Sequence, residues 1–211
     1  IIVGRNKITP NSTIEKIPNT IWKEKNWSNC CIISERYSDD PAPGEYPVIN
    51  ETIELIKLEF DSDSDILILD DGAHEVSDLI WFQSAKKQVN FIHCKASINM
   101  SSGCRKRDCD VLFAQAARSV HWIFSTNLID RLKDRLRGNS KLILGNQNTF
   151  NSISENFKVN EYEFNIILVQ PGFSISQVSD RNRVNNNVYK SVIVIYERIL
   201  GCRAKLEIWG T

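Results

Sequence analysis

Residues 65–97 read DILILDDGAHEVSDLIWFQSAKKQVNFIHCKAS. Three runs in this stretch, DILILD (65–70), VSDLIWF (76–82) and QVNFIHCKA (88–96), are rich in β-branched and aromatic residues and have the length of strands. DDGAH between the first two is a turn signal, and QSAKK between the second and third is short enough for a hairpin. The expectation is a three-stranded meander, and the remaining elements are read from it outward.

Upstream, INETIELIKLEF (49–60) places Ile49, Ile53, Leu55, Ile56 and Leu58 largely on one side of a 3.6-residue period. A helix is expected over Asn50–Phe60, with Asn50 able to cap it. Downstream, DCDVLFAQAARSVHWIFSTNLIDRLKDRLRG (108–138) has helical spacing, with Asp108 or Asp110 at its start and Gly138 at its end, as one long helix or two. KLILG (141–145), FNIILVQPG (164–172) and LEIWG (206–210) read as strands, while NVYKSVIVIYERILG (187–201) reads as a helix despite its β-branched centre. The order is helix, three strands, helix, two strands, helix, strand, which is the pattern of a mixed α/β fold. Residues 1–48 read as an N-terminal extension containing a loop, DDPAPGEYP (39–47), and residues 49–211 as one α/β domain whose central motif spans 70–120.

Composition narrows the function classes. The 211 residues are 42% hydrophobic and 25% charged, ample for a core, and 26 basic residues balance 26 acidic ones. Any nucleic-acid surface must therefore be local. No apolar run is long enough to span a bilayer, the amino end lacks a signal-peptide pattern, and a cytoplasmic location is expected. Ile1 in place of Met, with Met100 the only methionine, reads as a piece of a longer polypeptide. Six cysteines without secretory signs read as reduced thiols. A zinc site would have to recruit His93 or Cys94 to the pair Cys104 and Cys109, whose spacing is not a standard knuckle. No Walker-type phosphate loop is present in the sequence.

Chemistry concentrates in the meander. Phosphodiester hydrolysis requires an activated water and charge stabilisation, which carboxylates holding a divalent ion and a nearby lysine supply. Glu75 and Asp78 stand at the start of the second strand, and His93 and Lys95, two apart, share one face of the third. Burying His93 and Lys95 in an otherwise apolar strand is costly unless they are exposed, paired or functional. The basic loop residues Arg105, Lys106 and Arg107 could meet phosphates. Arg131, Lys133, Arg135 and Arg137 suit either a solvated helix face or a phosphate backbone. Trp22 and Trp27 suit core packing better than base stacking, and His74 and His121 read as structural.

An acid at one strand start, a hairpin, and then Lys95 two residues after His93 resemble the motif of the PD-(D/E)xK nuclease superfamily. More specifically, DDGAHEVSDLIWF, VNFIHCKAS, AQAARSV and the later IILVQPGFS resemble a nuclease-like domain attached to bacterial helicase-type proteins, some associated with phage defence. The resemblance implies a restriction-endonuclease-like core, a mixed central sheet flanked by helices, and a metal-dependent deoxyribonuclease. It implies Asp78 as metal ligand, Lys95 polarising water or phosphate, Glu54 or Glu51 from the preceding helix, and Gln115 from the following helix near the scissile phosphate. An attached helicase or ATPase and DNA are the implied partners, and Mg2+ or Mn2+ the implied ion. The sequence departs from the motif at His93, where the family has an acid, and imidazole suits manganese better than magnesium. Glu75 or Asp71 would then supply the missing carboxylate. The alternative is a catalytically silent nuclease-like fold that binds nucleic acid or a partner protein.

Overall fold

The computed structural model describes residues 17–70, 72–103, 105–123, 125–179 and 186–211. The meander forms from β2 (Asp65–Leu69), β3 (Leu79–Gln83) and β4 (Gln88–Cys94), with Ile66 opposite Phe82 and Leu79 opposite Ile92. The chain leaves β4 through α2 (Lys106–Ile123) and α3 (Leu128–Leu136), and β5 (Lys141–Leu144) pairs antiparallel with the outer edge of β2. After α4 (Gln147–Asn156), β6 (Glu163–Val169) lies parallel beside β4. The helices α5 (Ile175–Ser179) and α6 (Asn186–Gly201) lead to β7 (Lys205–Gly210), parallel to β6. β1 (Trp22–Glu24) completes the edge, parallel to β7. The seven-stranded sheet runs β1-β7-β6-β4-β3-β2-β5, parallel on one side of β4 and antiparallel on the other.

Both faces of this sheet are covered, which is why its strands read as near-continuous apolar runs. Period-two alternation sends Ile66, Ile68, Ile80, Phe82, Val89 and Phe91 into one core with α2, α3, α4 and α6. Leu67, Leu79, Trp81, Ile92 and Cys94 go into the other, with Trp27 and the α1 (Val48–Lys57) residues Val48, Ile49, Ile53 and Ile56. Residues beyond 17 in the N-terminal segment therefore belong to the sheet assembly. Trp27 donates its indole N–H to Gly210 O (3.1 Å), and Trp22 stacks on Phe173.

Some boundaries differ from expectation for identifiable reasons. The first helix begins at Val48 after Pro47, whose fixed φ suits a helix entry. Asn50 does not cap it, because its side-chain amide accepts from Ser38 N (2.9 Å) and donates to Ser38 O (2.8 Å). β3 starts three residues later than VSDLIWF suggests, since Val76 N donates to the Asp70 carboxylate (2.8 Å) instead of to a ladder. The 108–138 stretch forms two helices. α6 is helical because Val188, Val192, Ile195 and Ile199 form one buried stripe at helical spacing, and that burial outweighs β-branched propensity. No helix among the described residues is long and apolar enough to cross a membrane.

Candidate functional site

Antiparallel pairing of Leu79 with Ile92 places Asp78, one residue before β3, across from His93 near the end of β4. Asp78 Oδ2 accepts a hydrogen bond from Cys94 N (2.7 Å) and lies 3.9 Å from His93 Nδ1. Both side chains are buried. On the other side of the ring, His93 Nε2 is 2.7 Å from Ser119 Oγ of α2, and that hydroxyl donates to Val76 O (2.6 Å). Burial first, and the nearby positive charge of Arg118 second, push the His93 pKa down to about 3, so the ring is neutral at physiological pH. Its Nδ1 has no hydrogen-bond partner.

The loop between β2 and β3 is held by a charged network. Asp70, fully buried, accepts from Arg135 Nε (2.6 Å), from Ser140 Oγ and from Val76 N. Arg135 also donates to Ala73 O (2.8 Å) and Asp70 O (3.1 Å), and Arg131 donates to His74 O (2.7 Å). These two arginines therefore do not form the solvated or phosphate-facing stripe that their spacing suggested. They anchor the loop to α3, while Arg137 pairs with Asp134 at the surface.

Between this loop and α2 lies a cavity of about 520 Å3, with Glu75, His93, Gln115, Arg118, Ser119 and Trp122 among its walls. Glu75 accepts from Gly72 N (3.0 Å) and from Gln115 Nε2 (3.4 Å), and Gln115 Oε1 is buried without a partner. Glu75, His93 and Gln115 thus meet at one cavity, with Asp78 adjoining through His93.

Other expected site residues go elsewhere. Lys95 does not share the His93 environment, because its ammonium forms an ion pair with Glu35, which also accepts from Ala96 N (2.9 Å). β4 ends at Cys94, so strict alternation no longer governs Lys95. Glu54 sits on the outer side of α1 paired with Lys57 (2.6 Å). Glu51 is buried, its Oε2 has no partner, and burial followed by the charge of Glu54 raises its pKa. Arg105 is occupied by Asp108 (3.0 Å), Ser97 Oγ (2.7 Å) and Ser101 O (2.6 Å), whereas Lys106 and Arg107 are exposed at the start of α2. Asp71 and Cys104 lie outside the described residues. Cys94 and Cys109 belong to cores on opposite faces of the sheet and cannot share a zinc ion. Among the described residues no group of three His, Cys, Asp or Glu side chains comes together as a metal cage.

Four contributors were not singled out from the sequence. Ser119 follows Gln115 by four residues on a helix, so the i, i+4 rule would have placed it on the same face. Arg118 and Trp122 flank it. Glu35 carried no signal, since its contact with Lys95 spans 60 residues of chain. Comparison with protein-family models, with curated proteins and with solved structures returned no match.

Proposed function

We propose that this chain is a metal-dependent nuclease domain with a restriction-endonuclease-like core, hydrolysing phosphodiester bonds in DNA. The observation that carries this reading is the buried pair of Asp78 and His93, 3.9 Å apart, at the sheet end from which Lys95 emerges. The order of elements supports it: a helix, an antiparallel meander, a connection of helices that also carries the edge strand β5, and a strand parallel to the last strand of the meander. The reading includes a cytoplasmic location and an attached helicase or ATPase that delivers the DNA.

The donor set is incomplete as it stands: Asp78 offers a carboxylate oxygen and His93 a ring nitrogen, both buried, and no third His, Cys, Asp or Glu side chain joins them among the described residues. An oxygen and a nitrogen donor together suit Mn2+ better than the oxygen-seeking Mg2+. When bound, such an ion supplies a water of lowered pKa and positive charge against the phosphate. Asp78 and His93 would hold it. Lys95, only partly buried beside Glu35, can exchange that carboxylate for a substrate phosphate and stabilise charge in the transition state. Lys106 and Arg107 stand exposed for the phosphate backbone.

The test is cleavage of circular single-stranded and supercoiled DNA with Mn2+ or Mg2+, beside Asp78→Ala and Lys95→Ala. Cutting is expected with Mn2+ in preference to Mg2+ and should fall by on the order of 100-fold or more in each variant, as for loss of a charge-stabilising group. A second reading, a silent nucleic-acid-binding module, is favoured by the Lys95 to Glu35 ion pair. DNA binding without cutting in either ion would establish it.

A further inference from the structure

We propose that the cavity between the β2–β3 loop and α2 receives one nucleotide of an unpaired strand, its base stacked on Trp122 and its phosphate held by Arg118. The inference rests on the nuclease reading for its ligand and deepens it, because it makes the single strand, rather than the duplex, the form of DNA that is bound.

Arg118, Ser119 and Trp122 follow Gln115 by three, four and seven residues, which puts all four on one face of α2. That face and the loop residues 72–76 enclose the cavity of about 520 Å3, a size typical of small-ligand sites. Arg118 is exposed, and among the described residues no hydrogen bond or ion pair engages its guanidinium. Trp122, one turn further on, is half-buried: it packs against the core, lines the cavity, and has the His121 ring edge-to-face against it with centroids 5.3 Å apart. An aromatic ring open to a cavity, with an uncommitted guanidinium one turn away, suits a ligand that joins a flat ring to an anion. A nucleotide does so, and ring stacking beside a cation is how proteins hold unpaired strands. Glu75 does not oppose the phosphate there. Its carboxylate accepts from Gly72 N and from Gln115 Nε2, and Gln115 stands two turns, about 10 Å, from Trp122. His93 and Ser119 also line the cavity but are buried and hydrogen-bonded to each other. A paired base keeps both faces covered in its stack and could reach Trp122 only by being turned out of the duplex.

The test is fluorescence anisotropy of a labelled oligothymidylate, of a matching strand with abasic sites, and of a duplex, all in EDTA so that hydrolysis and divalent ions play no part. The oligothymidylate is expected to bind more tightly than the duplex. Trp122→Ala should weaken it by roughly 5- to 100-fold, Trp122→Phe, which keeps a stacking ring, should stay close to the wild type, and neither should alter binding of the abasic strand. Arg118→Ala should weaken both strands and flatten the slope of log Kd against log salt by about 0.7. Thymidine monophosphate as competitor separates a strand site from a free-nucleotide site: displacement is expected only in large excess over the strand. Duplex bound as tightly as the single strand, an equal loss for Trp122→Ala on the abasic strand, unchanged binding by Arg118→Ala, or displacement by an equal concentration of the monophosphate would each overturn the proposal. Should Trp122→Ala fail to fold, the wild-type comparison of the thymidylate and abasic strands, with Arg118→Ala, still decides it. Selective strand binding without cutting in Mn2+ upholds the inference and removes the nuclease reading, whereas cutting with binding indifferent to Trp122 and Arg118 does the reverse.

Discussion

Asp70 and Arg135 show how one residue can hold a site it does not enter. The carboxylate is fully buried and receives three hydrogen bonds, and the guanidinium shares itself between that carboxylate and two loop carbonyls. Removing one member leaves the other charged and dry. Arg135→Leu is expected to cost about 3–5 kcal/mol, read as a shifted urea midpoint. Arg137→Ala breaks only an exposed pair and should cost under about 1 kcal/mol. The same loss would slacken residues 72–76, which wall the cavity, so Arg135→Leu should also weaken Mn2+ binding. Equal midpoints for the two variants would show that the network carries no special weight.

At the scale of elements, two features decide whether the sheet closes. Gly145, just after β5, has φ of 85°, and a Cβ there would lie 2.6 Å from Asp65 O of the neighbouring strand. Both the left-handed backbone and the close approach demand glycine. Gly145→Ala is expected to lower stability by on the order of 1–3 kcal/mol, seen as a drop in Tm. In α6, Ile199 is fully buried and Val194 is 67% exposed, although both are β-branched residues of the same helix. Ile199→Ala should cost about 2–5 kcal/mol and Val194→Ala under about 0.5 kcal/mol. Similar losses from the two would mean that α6 is not seated by that stripe.

For the molecule as a whole, His93 ties stability to pH. Its pKa is pushed down to about 3 in the fold against an ordinary 6.5, so between those values the unfolded chain binds a proton that the folded chain does not. That contribution is complete above pH 6.5 and is lost as pH falls toward 3, at about 1.4 kcal/mol per pH unit at most. The metal-free wild type should therefore lose stability below pH 6.5 more steeply than His93→Gln, and parallel curves would refute the buried neutral ring. Much of the architecture was legible in the chain alone. The meander, the helix before it, the α6 helix and the two later strands, β6 and β7, follow from local periodicity and turn chemistry, and local rules suffice because neighbours in sequence create them. The pairing of Asp78 with His93 was legible for the same reason, since hairpin register is a local property. What only the tertiary structure decided is where charges end up once distant segments pack. Lys95 goes to Glu35, Arg135 to Asp70 and His93 to Ser119, because a buried polar group takes whatever partner the packed layers bring within reach. No spacing rule along the chain encodes a choice made across 26 to 65 residues of separation.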